Sequence, residues 1–162
     1  MSDSRANLAG RPFDPLSLPA RKGTAYPSQY ADRIKEREKR VLGDPAGLTH
    51  FGVNLTRLPP GEISSQRHWH SGQDEFVYLL EGELTLITDE GETTIRAGEC
   101  AGFPAGRANG HHMENRSDRV AVYLEVGDRP SSDRGHYPDI DLLASSNDGR
   151  RYRFTRKDGS EF

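Results

Sequence analysis

Two short segments hold the side chains with which this chain could do chemistry: His68-Trp69-His70 with Glu75, and, much later, His111-His112. On a β-strand, side chains two residues apart share a face, so His68 and His70 point the same way. Glu75 lies beyond Ser71-Gly72-Gln73-Asp74, a turn signal, and can return beside them on the next strand. A third imidazole from a distant strand closes a set of three nitrogens and one carboxylate oxygen. Such a set suits one divalent transition metal, Mn, Fe, Ni, Co or Zn. Four protein ligands around an octahedral ion leave open positions, unlike the closed tetrahedral shell of structural zinc. A hydroxy-ketone could chelate there, its carbonyl polarised and an enediolate stabilised. Fe(II) could instead take an organic substrate together with dioxygen. The ligand types do not choose between these.

Other residues are candidates by parity or placement. Gln66 shares the phase of His68 and His70 and is expected to face the pocket. Asn54, Tyr78 and Glu125 are polar residues on apolar runs. Each either faces outward or serves the site, Asn54 and Gln66 as substrate contacts, Gln66 and Tyr78 as catalytic candidates, Glu125 as a general base. An ionised Glu125 is costly to bury without a partner. Arg107 could bind an anionic group, and only Arg57 and Arg67 join it as cations expected near the site. His112 is either a rim histidine or a substrate contact, and it joins Gln66, Tyr78 and Glu125 as a catalytic candidate. Trp69 faces away from the ligands and packs, Asn115 is read as a structural hydrogen-bonder, and Cys100 as a small packing residue. The charged run at 32–40 reads as a solvated face.

The elements that must position these residues are strands. From Thr49 onward apolar residues alternate with polar ones, beginning with Phe51, Val53 and Leu55. Turn signals such as Pro59-Pro60-Gly61, Glu81-Gly82-Glu83 and Asp89-Glu90-Gly91 separate the runs. About eight short strands at steady spacing make a sandwich or barrel pattern. Residues 1–48 form an irregular, proline-rich arm and a charged segment, in which 28–42 fits either a short helix or an extended edge segment. The barrel occupies 49–127. Residues 128–162 form a C-terminal extension, turn-rich at first, in which 150–155 alternate with Tyr152 and Phe154 on one side. That extension either joins the chain's own sheet or a neighbour's.

The totals agree with a single domain. At 162 residues the chain can bury a core without staples, and its lone cysteine can form no internal disulfide. A net charge of −3 from 22 basic and 25 acidic residues gives no reason to expect nucleic acid or an anionic membrane as partner. No apolar run reaches the length of a membrane helix and the N-terminus lacks a signal-peptide core, so the expected location is the cytoplasm.

The spacing of these segments resembles the cupin family. The first cupin motif reads here Gly61, EISSQR, His68-Trp69-His70, SGQD, Glu75, FVYLLE, Gly82; the second reads Gly98, ECAGF, Pro104-Ala105-Gly106, RANG, His111, HME, Asn115. The spacers before His68 and before His111 are both longer than is usual in the family, and the second lengthens a loop beside the metal. The gap to Asn115 favours His111 over His112 as the fourth ligand. The resemblance implies an all-β double-stranded β-helix, or jelly roll, with His68, His70, Glu75 and His111 on the metal. Its similarity to small cupins compared with mannose-6-phosphate isomerase implies an enzyme isomerising a sugar or sugar phosphate. The alternatives are an Fe(II)-dependent dioxygenase and a non-catalytic binder of a small-molecule ligand. Cupins of this kind are commonly homodimers, and the arm and the C-terminal segment are the parts expected to cross between subunits.

Overall fold

The computed structural model describes residues 8–162; the first seven residues of the arm lie outside them. Among the described residues thirteen strands succeed one another: β1 (Arg21–Lys22), β2 (Glu38–Val41), β3 (Phe51–Leu58), β4 (Trp69–His70), β5 (Glu75–Glu81), β6 (Glu83–Thr88), β7 (Gly91–Arg96), β8 (Cys100–Phe103), β9 (His112–Glu114), β10 (Ala121–Asp128), β11 (Asp133–His136), β12 (Leu143–Ser146) and β13 (Arg153–Thr155). They form a six-stranded sheet β1-β2-β3-β10-β5-β8, a four-stranded sheet β13-β12-β11-β4 and a three-stranded sheet β7-β6-β9, every pairing antiparallel. Isolated bridges Ile63–Glu114 and His68–His111 join the layers. This is the expected jelly roll.

The period of two sets which residues face inward. On β5, Val77 and Leu79 are buried while Phe76, Tyr78 and Leu80 are exposed. The main core gathers Leu58, Val77, Leu79, Leu84, Ile95, Met113 and Tyr123. Burying such side chains contributes roughly 1.5–3 kcal/mol each. On β3 the expected alternation does not hold cleanly, since the neighbours Leu55 and Thr56 are both buried and Phe51 is exposed. Thr56 and Leu58 are buried and Asn54 lines a cavity, because this end of the barrel encloses polar space rather than hydrocarbon.

The segment at 28–42 forms no α-helix. Two 3₁₀ turns, Ser28–Tyr30 and Asp32–Ile34, lead into β2, which pairs with β3. Helical propensity yields here to the open edge of β3, which needs cover. The C-terminal extension adds its strands to the chain's own sheet: β11 pairs with β4, aligning Gly135 with His70 and His136 with Trp69. A second, aromatic core binds arm and extension together. Tyr26 packs edge-on against Tyr137 at 5.7 Å and Phe154 at 5.2 Å, over buried Leu142 and Ala144. Edge-to-face pairs contribute about 0.5–1.5 kcal/mol beyond area burial. Among the described residues no helix is long and apolar enough to cross a membrane.

Candidate metal centre

Glu75, at the start of β5, is the hub of the histidine cluster. Its Oε2 lies 3.0 Å from His111 Nε2, 3.5 Å from His68 Nε2 and 3.6 Å from His70 Nε2. His70 comes from β4, while His68 and His111 face each other across their bridge. The ligand atoms of His68, His70 and Glu75 all lie within 4.8 Å of one another, so these three could hold a metal ion. His111 joins through Glu75, its ring stacked on Phe103 at 3.6 Å.

The far sides of two rings are anchored. His68 Nδ1 donates to the Gln66 carbonyl at 2.9 Å, and His70 Nδ1 donates to Asp133 Oδ2 at 2.5 Å. Both partners can only accept, which puts the protons on Nδ1 and leaves each neutral ring a lone pair on Nε2. Those lone pairs face a carboxylate oxygen that also only accepts. Acceptors converging at this range need protons or a cation between them, and three imidazoles with a carboxylate fit a divalent transition ion. When protons rather than a metal occupy the Nε2 positions, burial still disfavours the Glu75 anion, yet hydrogen bonds from His111 and His68, and the charges of His68 and His70, hold its carboxyl well below the usual range. Burial lowers His111. Burial also works against charging His70, but Asp133 and Glu75 win and raise it.

Asp133 is the residue the sequence reading missed. Its side chain is fully buried, its Oδ2 accepts from His70 and from the Tyr152 hydroxyl at 2.9 Å, and its Oδ1 accepts from the Gly72 amide at 2.7 Å. Burial opposes its ionisation, but the His70 bond and charge and the Gly72 and Tyr152 bonds take its pKa down to about 2. The extension thus braces a ring of the cluster from behind. The signal was faint: a lone acid in a stretch without apolar alternation.

The cluster opens onto a cavity of about 660 Å³, within the size range of small-molecule sites. Asn54 and Glu125 line it as neighbours across β3 and β10, with Asn54 Nδ2 donating to Glu125 Oε1 at 3.2 Å and Lys39 paired to the same carboxylate. That partner resolves the cost of burying Glu125. Arg107 borders a separate small cavity with Trp69, His70 and His111, its guanidinium exposed and 3.1 Å from Glu90.

Other candidates go elsewhere. Gln66 does not line the cavity; its amide donates to the Tyr30 carbonyl at 2.8 Å, because residues 64–67 bend instead of forming a strand and parity does not propagate. Tyr78 points out of β5 into solvent, away from the cavity. His112 is at the cavity edge without contacting Glu75; its Nδ1 is buried without a partner, and burial lowers its pKa to about 4. Arg67 is locked between Asp139 and Asp89, and Arg57 lies beside Glu38 at the surface, so neither reaches the cavity. Trp69 stacks on His136 at 4.1 Å. Asn115 is fully buried and donates to the Leu58 and Arg119 carbonyls, a structural role. The loop before His111 is pinned: Gly106 N donates to the His70 carbonyl and Asp89 N to Asn109 Oδ1.

Residues 54–127 match the cupin domain family. The chain is 44% identical to a sugar phosphate isomerase from a cupin superfamily of Silicibacter pomeroyi, with a TM-score of 0.87 over 93% of this chain and 96% of that one. A candidate sugar phosphate isomerase from Acidithiobacillus ferrooxidans is 31% identical, with a TM-score of 0.68 over 75% of this chain and 76% of its own. The oxalate decarboxylase of Bacillus subtilis is 29% identical over 108 residues, which are 60% of this chain but only 26% of that enzyme.

Proposed function

The chain belongs to the cupin superfamily, and we propose that it is a metal-dependent isomerase of a sugar or sugar phosphate, with His68, His70, Glu75 and His111 as the metal ligands. The observation that carries this reading is the convergence of three imidazole Nε2 atoms on Glu75 Oε2, at 3.0 to 3.6 Å, beside a polar-walled cavity. The 44% identical relative named as a sugar phosphate isomerase supports the reaction type. A bound divalent ion supplies Lewis-acid polarisation of a carbonyl oxygen. The chain's own residues supply the rest. Of the two cavity carboxylates outside the histidine cluster, Asp44 is paired with Arg129, and Glu125, held in place by Asn54 and Lys39, is the base that carries a proton between neighbouring carbons. Asn54 keeps an amide oxygen free for a substrate hydroxyl.

The test begins with elemental analysis of protein purified without chelator or metal-affinity tag, followed by proton NMR of aldose and ketose panels. One equivalent of metal and chelator-sensitive aldose–ketose interconversion, lost in Glu125→Gln with metal retained, is the expected result. Metal-dependent oxygen consumption instead would replace the isomerase with a dioxygenase. Failure to take up any ion after soaking would remove the ligand assignment and leave a binding scaffold.

A further inference from the structure

The cavity wall holds more positive charge than the metal chemistry uses. Six cationic side chains line it, Arg21, Arg37, Lys39, Arg129, Arg150 and Arg151, against the carboxylates of Asp44, Glu75 and Glu125. Two cations are neutralised locally. Lys39 pairs with Glu125, and Arg129 pairs with Asp44 at 2.5 Å. Glu75 belongs to the histidine cluster. Four arginines remain without a carboxylate of their own.

Their arrangement is built rather than incidental. Arg37 is half-buried and is held by carbonyls alone: Nη2 donates to Gly23 O at 2.9 Å, Nη1 donates to Ser64 O, and its Nε–H is buried with no partner. A guanidinium partly withdrawn from water, with its Nε–H unpaired and no anion beside it, favours an anion that enters the cavity. The side chains of Arg21, Arg150 and Arg151 have no hydrogen bond or ion pair among the described residues. Arg150 and Arg151 sit on a turn fixed by Asp148, whose Oδ1 accepts both of their backbone N–H groups at 2.9 Å, so that carboxylate is engaged with the main chain. Gly149 sets the turn. It has a φ of +61°, and a Cβ there would stand 2.6 Å from Arg129 Cα.

We propose that Arg37, with Arg21, Arg150 and Arg151, grips the phosphate of a phosphorylated substrate whose other end reaches the histidine cluster. Guanidinium forks match the oxygens of a phosphate ester and can bind it through paired N–H bonds. The arm supplies Arg21 and Arg37 and the extension supplies Arg150 and Arg151, so recognition comes from the segments outside the barrel. This deepens the sugar phosphate half of the proposed function and rests on that reading for the identity of the organic part alone.

The test is calorimetric binding of fructose 6-phosphate, fructose, inorganic phosphate and malonate, to metal-free and metal-loaded protein. Fructose 6-phosphate is expected to bind at least roughly tenfold tighter than fructose, as charge-assisted hydrogen bonds to a phosphate imply. Inorganic phosphate is expected to bind the metal-free protein. Both affinities should fall roughly tenfold in the Arg150→Ala/Arg151→Ala double variant, whose exposed side chains support no fold contact, and further in Arg37→Gln. Equal binding of the phosphorylated and neutral sugar, or affinities unmoved in the double variant, overturns the grip. Malonate binding as tightly as phosphate overturns the phosphate assignment. Because binding to metal-free protein is read without turnover, arginine-dependent phosphate binding with no isomerisation sinks the reaction and spares the grip. Isomerisation of neutral sugars with no phosphate preference does the reverse.

Discussion

Asp133→Asn isolates the brace behind His70 with almost no change of shape. The carboxylate accepts three hydrogen bonds, from His70 Nδ1, Tyr152 Oη and Gly72 N. An amide in the same place offers one oxygen and one NH₂. If the oxygen stays with His70, the NH₂ faces the Gly72 N–H; if it turns, the NH₂ faces the His70 N–H. One donor is always set against another. The loss falls on the ring that presents Nε2 to Glu75, and removing an outer partner of this kind typically lowers metal affinity by about 10–100-fold, or roughly 1.4–2.7 kcal/mol. Competition for Zn or Co against a chromophoric chelator reads the number directly, and the visible spectrum of the Co form reports a changed ligand field. His70→Ala is the reference for complete loss of the ligand. An Asp133→Asn protein that melts as wild type does and binds metal within about twofold of it would refute the bracing role, since the weakest expected effect is about tenfold.

Three further outcomes follow from the geometry. In metal-free protein, the depressed Asp133 pKa makes its contribution, about 2 kcal/mol, fully present above its unfolded value of 3.8 and lost as pH falls toward about 2. His70 acts in the opposite sense: raised above 6.5, it contributes fully below that pH and loses its contribution as pH rises through its folded value, so melting temperature in chelator should decline on both sides. Gly149→Ala forces a Cβ to within 2.6 Å of Arg129 Cα at a positive φ and should cost about 2 kcal/mol or more, a melting-temperature fall of at least roughly 4 °C, with weakened phosphate binding by calorimetry. Tyr78→Phe, on the outer face of β5, should leave metal affinity and turnover within about twofold of wild type, the small effect usual for surface changes.

The cluster was readable in the sequence because its spacing is a consequence of strand geometry. His68-x-His70 shares a face by the period of two, and Glu75 returns after a turn, so the residue types alone pointed to a metal. Parity failed at Gln66 because it holds only within a strand, and residues 64–67 are bent. The extension was illegible for a related reason. In β11 the buried positions are Asp133 and Gly135, so inside and outside still alternate but hydrophobicity does not follow. The same blindness covers the arginines. The charged run at 32–40 read as a solvated face, whereas β2 turns Lys39 into the cavity and Arg37 just before it does the same. A polar cavity inverts the rule that apolar periodicity marks the inward face.

The pairing of β11 with β4 also orders events in time. Every residue of the histidine cluster, through His111, precedes Asp133 in the chain. During synthesis, at roughly 5–20 residues per second, the imidazoles therefore leave the ribosome before the strand that braces His70 and before the Arg150-Arg151 turn exist outside it. A metal met at that stage encounters unrestrained rings, and one met after release encounters a braced cluster behind an arginine-lined mouth. For the metal site proposed above, selection among competing metals, which depends on how rigidly ligand geometry is enforced, would thereby fall after the last strands have docked.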